Sequence, residues 1–514
     1  MSDILGHPRG LFVLFFAEMW ERFSFYGMRA LLIFYLTQHF LFDDAASAGI
    51  YASYGALVYL MPVLGGMLAD RYLGFRKAVT FGAILLALGH LGMALEGEPA
   101  REVGGAIVRD AVSIQTFYLS IALIIVGVGF LKPSISSIVG RLYSASDPRR
   151  DSGFTIFYMG INLGAFTAAL ACGYLGQTYG WRYGFGLAGV GMLVGLATFV
   201  RGRHLLQGAG EPRDPQRLRE RIVGGLTREY ALYLCSLLAV VVVWQLVQWH
   251  VGVGGVLVVV GGGVSLWIIW FSLARCDKVE RARMLLMLFL TAMSVVFWAF
   301  FEQAGSSMNL FTDRNVDREL FGVTLQASQF QSFNPAFIIL LAPLFSALWV
   351  KLNRWRMEPG TPAKFGLGIV QVGLGFAVLV YGASLVGDDF KVAPGWLVLA
   401  YLLHTTGELC LSPVGLSMIT RLSVARVTGM MMGVWFLSSA FSQYVGGLIA
   451  AGASVETHGG EVVDPAAALA TYTDTFGYLA IVAIGVGVAL LLISPRLRRF
   501  MHEDHESNIP IPSQ

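Results

Sequence analysis

Apolar runs of about 20 residues recur along the whole chain, and short polar loops separate them. A helix of that length crosses a hydrocarbon core of about 30 Å and satisfies its own backbone hydrogen bonds there. With 56% hydrophobic and only 13% charged residues, the chain has too little polar surface for a water-soluble protein of this size. These features predict an all-α membrane protein.

The apolar runs predict about fourteen membrane-spanning helices. Their bounds follow from the ends of the runs and from the polar residues that flank them. The predicted spans are 11–39, 47–69, 78–95, 113–140, 153–176, 182–200, 230–250, 252–274, 284–311, 329–350, 364–386, 394–420, 427–451 and 472–494.

Lys and Arg are distributed unevenly between the two sets of loops. Of the 36 basic residues, 27 fall in segments on the side of the termini and six on the opposite side. Positive residues are retained on the cytoplasmic side of short loops, which predicts a multi-pass protein of the cell (inner) membrane with both termini in the cytoplasm. The net charge of +3 thus reflects topology, and no basic domain is present for a nucleic-acid partner.

The longest link on the basic side, residues 201–229, is rich in Arg and contains Pro212 and Pro215, which is typical of a linker between two halves. Two helices after this linker lack charged residues within the bilayer, so they suit lipid contact or packing. We therefore divide the chain into an N-terminal six-helix bundle (1–200), the linker (201–229), an inserted two-helix pair (230–275), a C-terminal six-helix bundle (276–500) and a disordered cytoplasmic tail (501–514).

Seven charged residues lie deep within the predicted spans, away from the span ends. A charge at the centre of a spanning helix costs about 2.5–3.5 kcal/mol, so these side chains are expected to face one another or water. All three bases belong to the first half, whereas the second half has only acids. The seven are Glu18, Glu21, Arg22, Arg29, Lys132, Glu302 and Glu408.

Two interpretations of the charges on the first span are open. Glu18 and Glu21 could form static ion pairs with Arg22 on their own helix, which would lower the cost of burial. Alternatively, the dispersed set on several helices converges around a central cavity. His90 and His404 are interpreted as hydrogen-bonded histidines of the bundle interior.

Five segments resemble one family. Residues 18–27 (EMWERFSFYG) resemble the E-x-x-E-R-F-x-Y-Y-G signature of the proton-dependent oligopeptide transporters, a branch of the major facilitator superfamily. Residues 157–164 (FYMGINLG), 330–335 (FQSFNP) and 407–413 (GELCLSP) are similar to three further motifs of that family. Residues 65–71 (GGMLADR) resemble a loop motif of the whole superfamily. The resemblance implies the major facilitator fold, with six plus six helices in two pseudo-symmetric halves and two inserted helices.

The resemblance also implies a site for di- and tripeptides at the midplane between the halves. Arg22, Arg29 and Lys132 would bind the peptide carboxylate and Glu408 the amino group. Ser412 would support Glu408, and Trp298 and Trp435 would line side-chain pockets. The peptide amides would be bound by Tyr26, Tyr59, Asn162 and Asn334, and Tyr158 is a further substrate-binding candidate. Asp70, Arg76 and Lys77 would belong to a gating loop.

The expected activity is proton-coupled symport by alternating access, without organic cofactor or metal, by a monomer in contact with membrane lipid. Protons would act through Glu18, Glu21 and Glu302 together with Arg22, Arg29 and Lys132, and Arg29 is predicted to pair with Glu302 across the halves. A family member that carries another anion or zwitterion, such as nitrate or an amino acid, is the alternative. A channel, a receptor and an enzyme are less favoured, because no filter repeat, H-E-x-x-H or G-x-S-x-G is present.

Overall fold

A computed structural model describes residues 3–144, 146–222 and 224–501. The predicted tail falls almost wholly on residues 502–514, outside the described residues. Long helices dominate the described chain. The α-helices are α1 (Arg9–Phe34), α2 (Asp44–Leu68), α3 (Phe75–Ala94), α4 (Ala111–Arg141), α5 (Arg150–Tyr179), α6 (Trp181–Gly202), α7 (Pro215–Arg219), α8 (Arg228–Gln248), α9 (His250–Arg275), α10 (Lys278–Phe301), α11 (Ser307–Asn315), α12 (Phe333–Arg354), α13 (Thr361–Ala383), α14 (Pro394–Leu422), α15 (Thr428–Gly452) and α16 (Pro465–Arg499).

Three two-stranded antiparallel hairpins join helix ends on one face of the molecule. They are β1 (Arg101–Val103) with β2 (Ala106–Val108), β3 (Glu319–Leu320) with β4 (Val323–Thr324), and β5 (Thr457–His458) with β6 (Glu461–Val462). We call this the hairpin face. The opposite face carries the start of α1 and the end of α16, and we call it the terminal face.

Thirteen helical stretches among the described residues are long and apolar enough to cross a bilayer. The first helix, α1, is equally long, but its five charged residues set it apart from the thirteen. A helix that is otherwise apolar and carries this many charges must turn them toward protein or water rather than lipid. With α1, the chain has the predicted series of six spans, an inserted pair (α8 and α9) and six further spans.

The two halves meet along two pairs of helices, and we call this interface the seam. α2 packs along α15, and α5 packs along α12. The first contact is close because small residues face each other: a Cβ added to Gly447 would overlap the Cβ of Ala52. The inserted helices lie across this seam, since α8 contacts α2 and α4 whereas α9 contacts α2, α10 and α15.

Not every predicted span is a continuous α-helix, and two interruptions matter for the site. The predicted span 284–311 breaks after Glu302, where a 3-10 turn (Glu302–Gly305) and an irregular Ser306 separate α10 from α11. The predicted span 11–39 ends in a π-helical turn, Tyr35–His39. Breaks of this kind are tolerated where protein or water, rather than lipid, surrounds the backbone, and both lie toward the hairpin face.

Polar bridges close the seam on the hairpin face. Arg314 holds Asp44 with two hydrogen bonds, from Nη1 to Oδ2 at 2.6 Å and from Nη2 to Oδ1 at 2.8 Å, and both side chains are buried. The same carboxylate accepts a hydrogen bond from the backbone N–H of Val455. Gln38 donates to Asp313 at 3.0 Å. Because each pair joins the N-terminal half to the C-terminal half, separation of the halves on this face must break them.

Candidate substrate site

A cavity of about 340 Å³ lies between the two halves. Its walls come from α1, α2, α4 and α5 on one side and from α10, α12 and α14 on the other. Thirteen of the residues that sequence patterns and motif resemblance singled out line it: Glu18, Arg22, Tyr26, Arg29, Tyr59, Lys132, Tyr158, Asn162, Trp298, Glu302, Asn334, Glu408 and Ser412.

The basic wall belongs to the N-terminal half. Arg22 Nη2 donates to Glu21 Oε1 at 2.6 Å, and its Nε lies 3.3 Å from Glu18 Oε1. Both pairs that the static interpretation required are therefore present. Glu18 and Arg22 nevertheless also line the cavity, whereas Glu21 is fully buried behind them. Lys132 forms no ion pair within 4 Å among the described residues, and its Nζ lies 4.5 Å from the centre of the Tyr59 ring.

Arg29 reaches across the seam. Its Nη2 donates to Glu302 Oε2, and its Nε donates to the hydroxyl of Tyr51 at 2.6 Å. The predicted pairing of Arg29 with Glu302 is thus confirmed. Glu302 begins the turn at which α10 ends, so the break in the helix lies beside this pair. The pair closes the cavity toward the hairpin face.

The acidic wall belongs to the C-terminal half and centres on Glu408. Its Oε2 accepts a hydrogen bond from Asn334 Nδ2 at 2.9 Å, and the same amide donates to Thr405 Oγ1 at 3.1 Å. Asn334 therefore does what was expected of Ser412, since it supports the carboxylate. Ser412 lies on the cavity wall one helical turn from Glu408.

The cavity is more open toward the terminal face. Tyr158, two turns from the start of α5 on that face, is 42% exposed, whereas Glu302 near the hairpin face is only 9% exposed. A smaller cavity of about 220 Å³ joins the main one through Tyr59, Trp298, Glu302 and Ser412. Trp435, which does not line the main cavity, lines this second one together with Phe436.

The predicted gating-loop residues lie far from the cavity and contact the linker instead. Asp70 accepts from Arg213 Nη2 at 2.6 Å, and Arg76 pairs with Glu211 and donates to the carbonyl of Ala209. Lys77 pairs with Glu229 at the start of α8. All three thus tie the loop between α2 and α3 to residues 201–229.

Several lining residues were missed. Gln331 stands inside the segment 330–335 that was singled out, so its motif position was an available signal. Ile161 likewise stands inside the segment 157–164 that was singled out, whereas Tyr401 and Phe301 are aromatic residues in apolar spans, and no sequence signal distinguishes them from packing residues. The interpretation of His90 is wrong: neither of its ring nitrogens has a hydrogen-bond partner among the described residues. His404 Nε2 lies 3.1 Å from the carbonyl of Val372.

The chain is similar to a known protein family, to individual transporters and to solved structures. Residues 76–462 match the model of the POT family. The peptide transporter YePEPT of Yersinia enterocolitica is 37% identical, with 97% of this chain and 96% of that protein covered. The di-/tripeptide transporter of Lactococcus lactis is 33% identical, with 97% and 98% covered. The crystal structure of a mutant peptide transporter POT in complex with alafosfalin is similar with a TM-score of 0.81, at 36% identity, covering 98% of this chain and 97% of that one.

Proposed function

The chain belongs to the POT family, and on that premise we propose that it is a proton-coupled symporter that moves di- and tripeptides across the membrane by alternating access. One observation supports this most strongly: the cavity has a basic wall in one half and an acidic wall in the other. A peptide is a zwitterion, with a carboxylate at one end and an ammonium group at the other. A cavity with separated charges of both signs fits that chemistry.

The peptide carboxylate would bind at Arg22, Arg29 and Lys132. Within the described part of the chain, Lys132 forms no ion pair within 4 Å, so it is the base most available to an incoming carboxylate. The ammonium group would bind at Glu408, which Asn334 orients. Tyr26, Tyr59, Tyr158 and Asn162 are placed along the walls to bind the amides between the two ends, and Trp298 and Trp435 would line side-chain pockets. Recognition through groups that all peptides share would let one cavity accept many side chains.

Protons would act by releasing ion pairs. Protonation of Glu302 removes the charge that holds Arg29 and so frees the halves to separate on the hairpin face. Glu18 and Glu21 would act in the same way on Arg22, which then becomes available to the substrate carboxylate. Glu302 would couple the proton to the conformational change, and the acids of α1 would couple it to substrate binding.

The bias of basic residues supports a cytoplasmic terminal face and an inner-membrane location. In that orientation the structure is inward-facing, since the seam is bridged on the hairpin face and the cavity widens toward the terminal face. A monomer contains both walls of the site, so we propose that one chain is sufficient for transport.

Uptake of radiolabelled dialanine into vesicles that contain the purified protein tests the proposal. We expect accumulation only when an inward proton gradient is imposed, and competition by unlabelled tripeptides. Competition by N-acetyl-dialanine should be much weaker, because it lacks the ammonium group. Gradient-independent equilibration would contradict proton coupling. Competition by nitrate or by single amino acids, but not by peptides, would instead favour the alternative substrate class.

A further inference from the structure

A second large cavity lies away from the substrate site, between the inserted helix α9 and the C-terminal half. Its volume is about 420 Å³. Its lining is almost wholly apolar, with residues from the middle of α9 (Val258 to Ser265), α10 (Leu288 to Val295) and α15 (Val434 to Phe441). We call it the α9 crevice. No contact of the proposed transport cycle uses it.

Helix α9 is held against the C-terminal half at both ends. Near the hairpin face, a Cβ added to Gly254 would overlap the hydroxyl of Tyr444. Toward the terminal face, Ile268 and Phe271 are buried, and Arg426 donates to the carbonyl of Arg275. Between these ends, a Cβ on Gly261 would lie 2.7 Å from the ring of Phe441, whereas one on Gly262 would meet no atom within 4 Å. The absence of side chains at these glycines leaves the crevice open between two packed ends.

The α9 crevice lies near the middle of the bilayer, which is the depth at which the acyl chains of lipids end. Gly262 is at the middle of α9, and Ser265 is about 15 Å from Arg275 at 1.5 Å per residue. Half of a hydrocarbon core is also about 15 Å thick. A phospholipid whose headgroup lies at the end of α9 would thus reach the crevice with the terminal carbons of its acyl chain. An unfilled crevice would leave its walls without van der Waals partners.

Basic residues surround the end of α9 on the terminal face. Arg275 and Lys278 are exposed there. Arg426, 51% exposed at its side chain, donates to the carbonyl of Arg275 at 2.6 Å and packs over the ring of Phe271. Arg426 pairs with Glu280, whereas Arg275 and Lys278 are exposed; Asp277, which lies between them, accepts hydrogen bonds from the backbone N–H groups of Val279 and Glu280. Clusters of Lys and Arg in this position attract anionic headgroups.

We propose that the α9 crevice binds the acyl chain of an anionic phospholipid whose headgroup lies on Arg275 and Lys278. The occupant belongs to the leaflet on the terminal face. Because α9 also contacts α2 of the other half, the bound lipid would lie against the helix that spans the seam. This proposal is independent of the transported substrate.

Photo-crosslinking tests where the acyl chain of the lipid lies. The probe is phosphatidylglycerol with a diazirine at the end of one acyl chain, reconstituted with the full-length protein and followed by peptide mapping. We expect labels concentrated on residues 258–265, 288–295 and 434–441. The variant Gly262→Leu fills the crevice and should lose most of this label. Gly263→Leu, at the next and exposed position of the same helix, where an added Cβ also meets no atom within 4 Å, adds the same side chain outside the crevice lining and should keep it.

The headgroup is tested with phosphatidylcholine that carries the same diazirine chain, and with the double variant Arg275→Gln and Lys278→Gln. We expect weaker labelling of the crevice by phosphatidylcholine, and a loss of the preference for phosphatidylglycerol in the double variant. Equal labelling by both lipids would overturn the headgroup assignment. Labels spread evenly over all lipid-facing helices, or retained by Gly262→Leu, would overturn the site itself. A monodisperse elution profile checks that each variant is folded.

Discussion

Arg22 and Arg29 lie two turns apart on α1, yet they form different kinds of ion pair. Arg22 binds Glu18 and Glu21 of its own helix, so its partners move with it when the halves rock. Arg29 binds Glu302 of the opposite half, so this pair breaks when the hairpin face opens. On the proposed function, the comparison separates two roles on one helix: Arg22 and its acids would adjust the charge of the substrate wall, whereas Arg29 and Glu302 would respond to and control the conformation.

The largest expected effect is that of Glu302→Gln. Because a neutral amide neither takes up the coupling proton nor holds Arg29 as an ion, we expect loss of proton-driven dialanine accumulation with retention of peptide counterflow, which moves no net protons. Glu21→Gln should give the same transport result. Glu280→Gln removes a carboxylate that pairs with Arg426 within the C-terminal half and should transport normally.

Conformation distinguishes the two coupling variants. Glu102 and His458 contact each other across the seam on the hairpin face, at 3.3 Å. In a Cys235→Ser background, Glu102→Cys and His458→Cys should react with a short bifunctional thiol reagent when that face is closed. Glu302→Gln should lower the crosslinking yield, and Glu21→Gln should leave it unchanged. Equal yields in both variants would break the comparison between the two arginines.

The next largest effect is expected when the negative charge of the acidic wall is removed at Glu408. Removal of one partner of a charge pair in a cavity commonly costs about 2–5 kcal/mol, so Glu408→Gln should raise the Kd of dialanine by at least about 30-fold. The variant should also lose its preference for dialanine over N-acetyl-dialanine. Isothermal titration of the purified protein measures both. Unchanged affinity with intact discrimination would remove Glu408 from the ammonium site.

The spans and the cavity charges could be predicted because each is encoded locally. An apolar run long enough to cross the bilayer indicates a span wherever it occurs, and a charge inside such a run must face the interior. This reasoning identified Glu18, Arg29, Glu302 and Lys132, which the structure brings to one cavity. It also allowed the Arg29–Glu302 pair to be inferred, because few charges were available inside the spans.

The same reasoning could not find the pair formed by Asp44 and Arg314. Both residues stand at the ends of spans, where a charge is ordinary, and their proximity depends on how two distant helices pack. It also did not place the break at Ser306, although residues 302–309 (EQAGSSMN) are mostly polar or small and could have ended the predicted span near Glu302. The choice of Asn334 over Ser412 as the partner of Glu408 depends on the relative rotation of α12 and α14.

A smaller effect on transport is expected from Asp44→Asn. This variant tests whether the Arg29–Glu302 pair differs from other ion pairs across the seam. The Asp44–Arg314 pair crosses the seam like Arg29–Glu302, but neither residue lines the cavity. Loss of one partner from a buried pair commonly costs about 3–5 kcal/mol, here on the conformation with a closed hairpin face. We expect a lower yield in the Glu102–His458 crosslinking assay with proton-driven uptake retained. Loss of coupling would show that any cross-seam pair, and not Glu302 in particular, couples the proton.

The smallest effect is expected from Ser412→Ala. If Asn334 supports Glu408, as its 2.9 Å hydrogen bond indicates, removal of the Ser412 hydroxyl should change the Kd of dialanine by less than about threefold. Asn334→Ala should weaken binding more, because it leaves Glu408 without that donor. Both variants keep the charge of the acidic wall, so they separate orientation of the carboxylate from its charge. A stronger effect of Ser412→Ala than of Asn334→Ala would return the supporting role to Ser412, and with it the role first inferred from the motif.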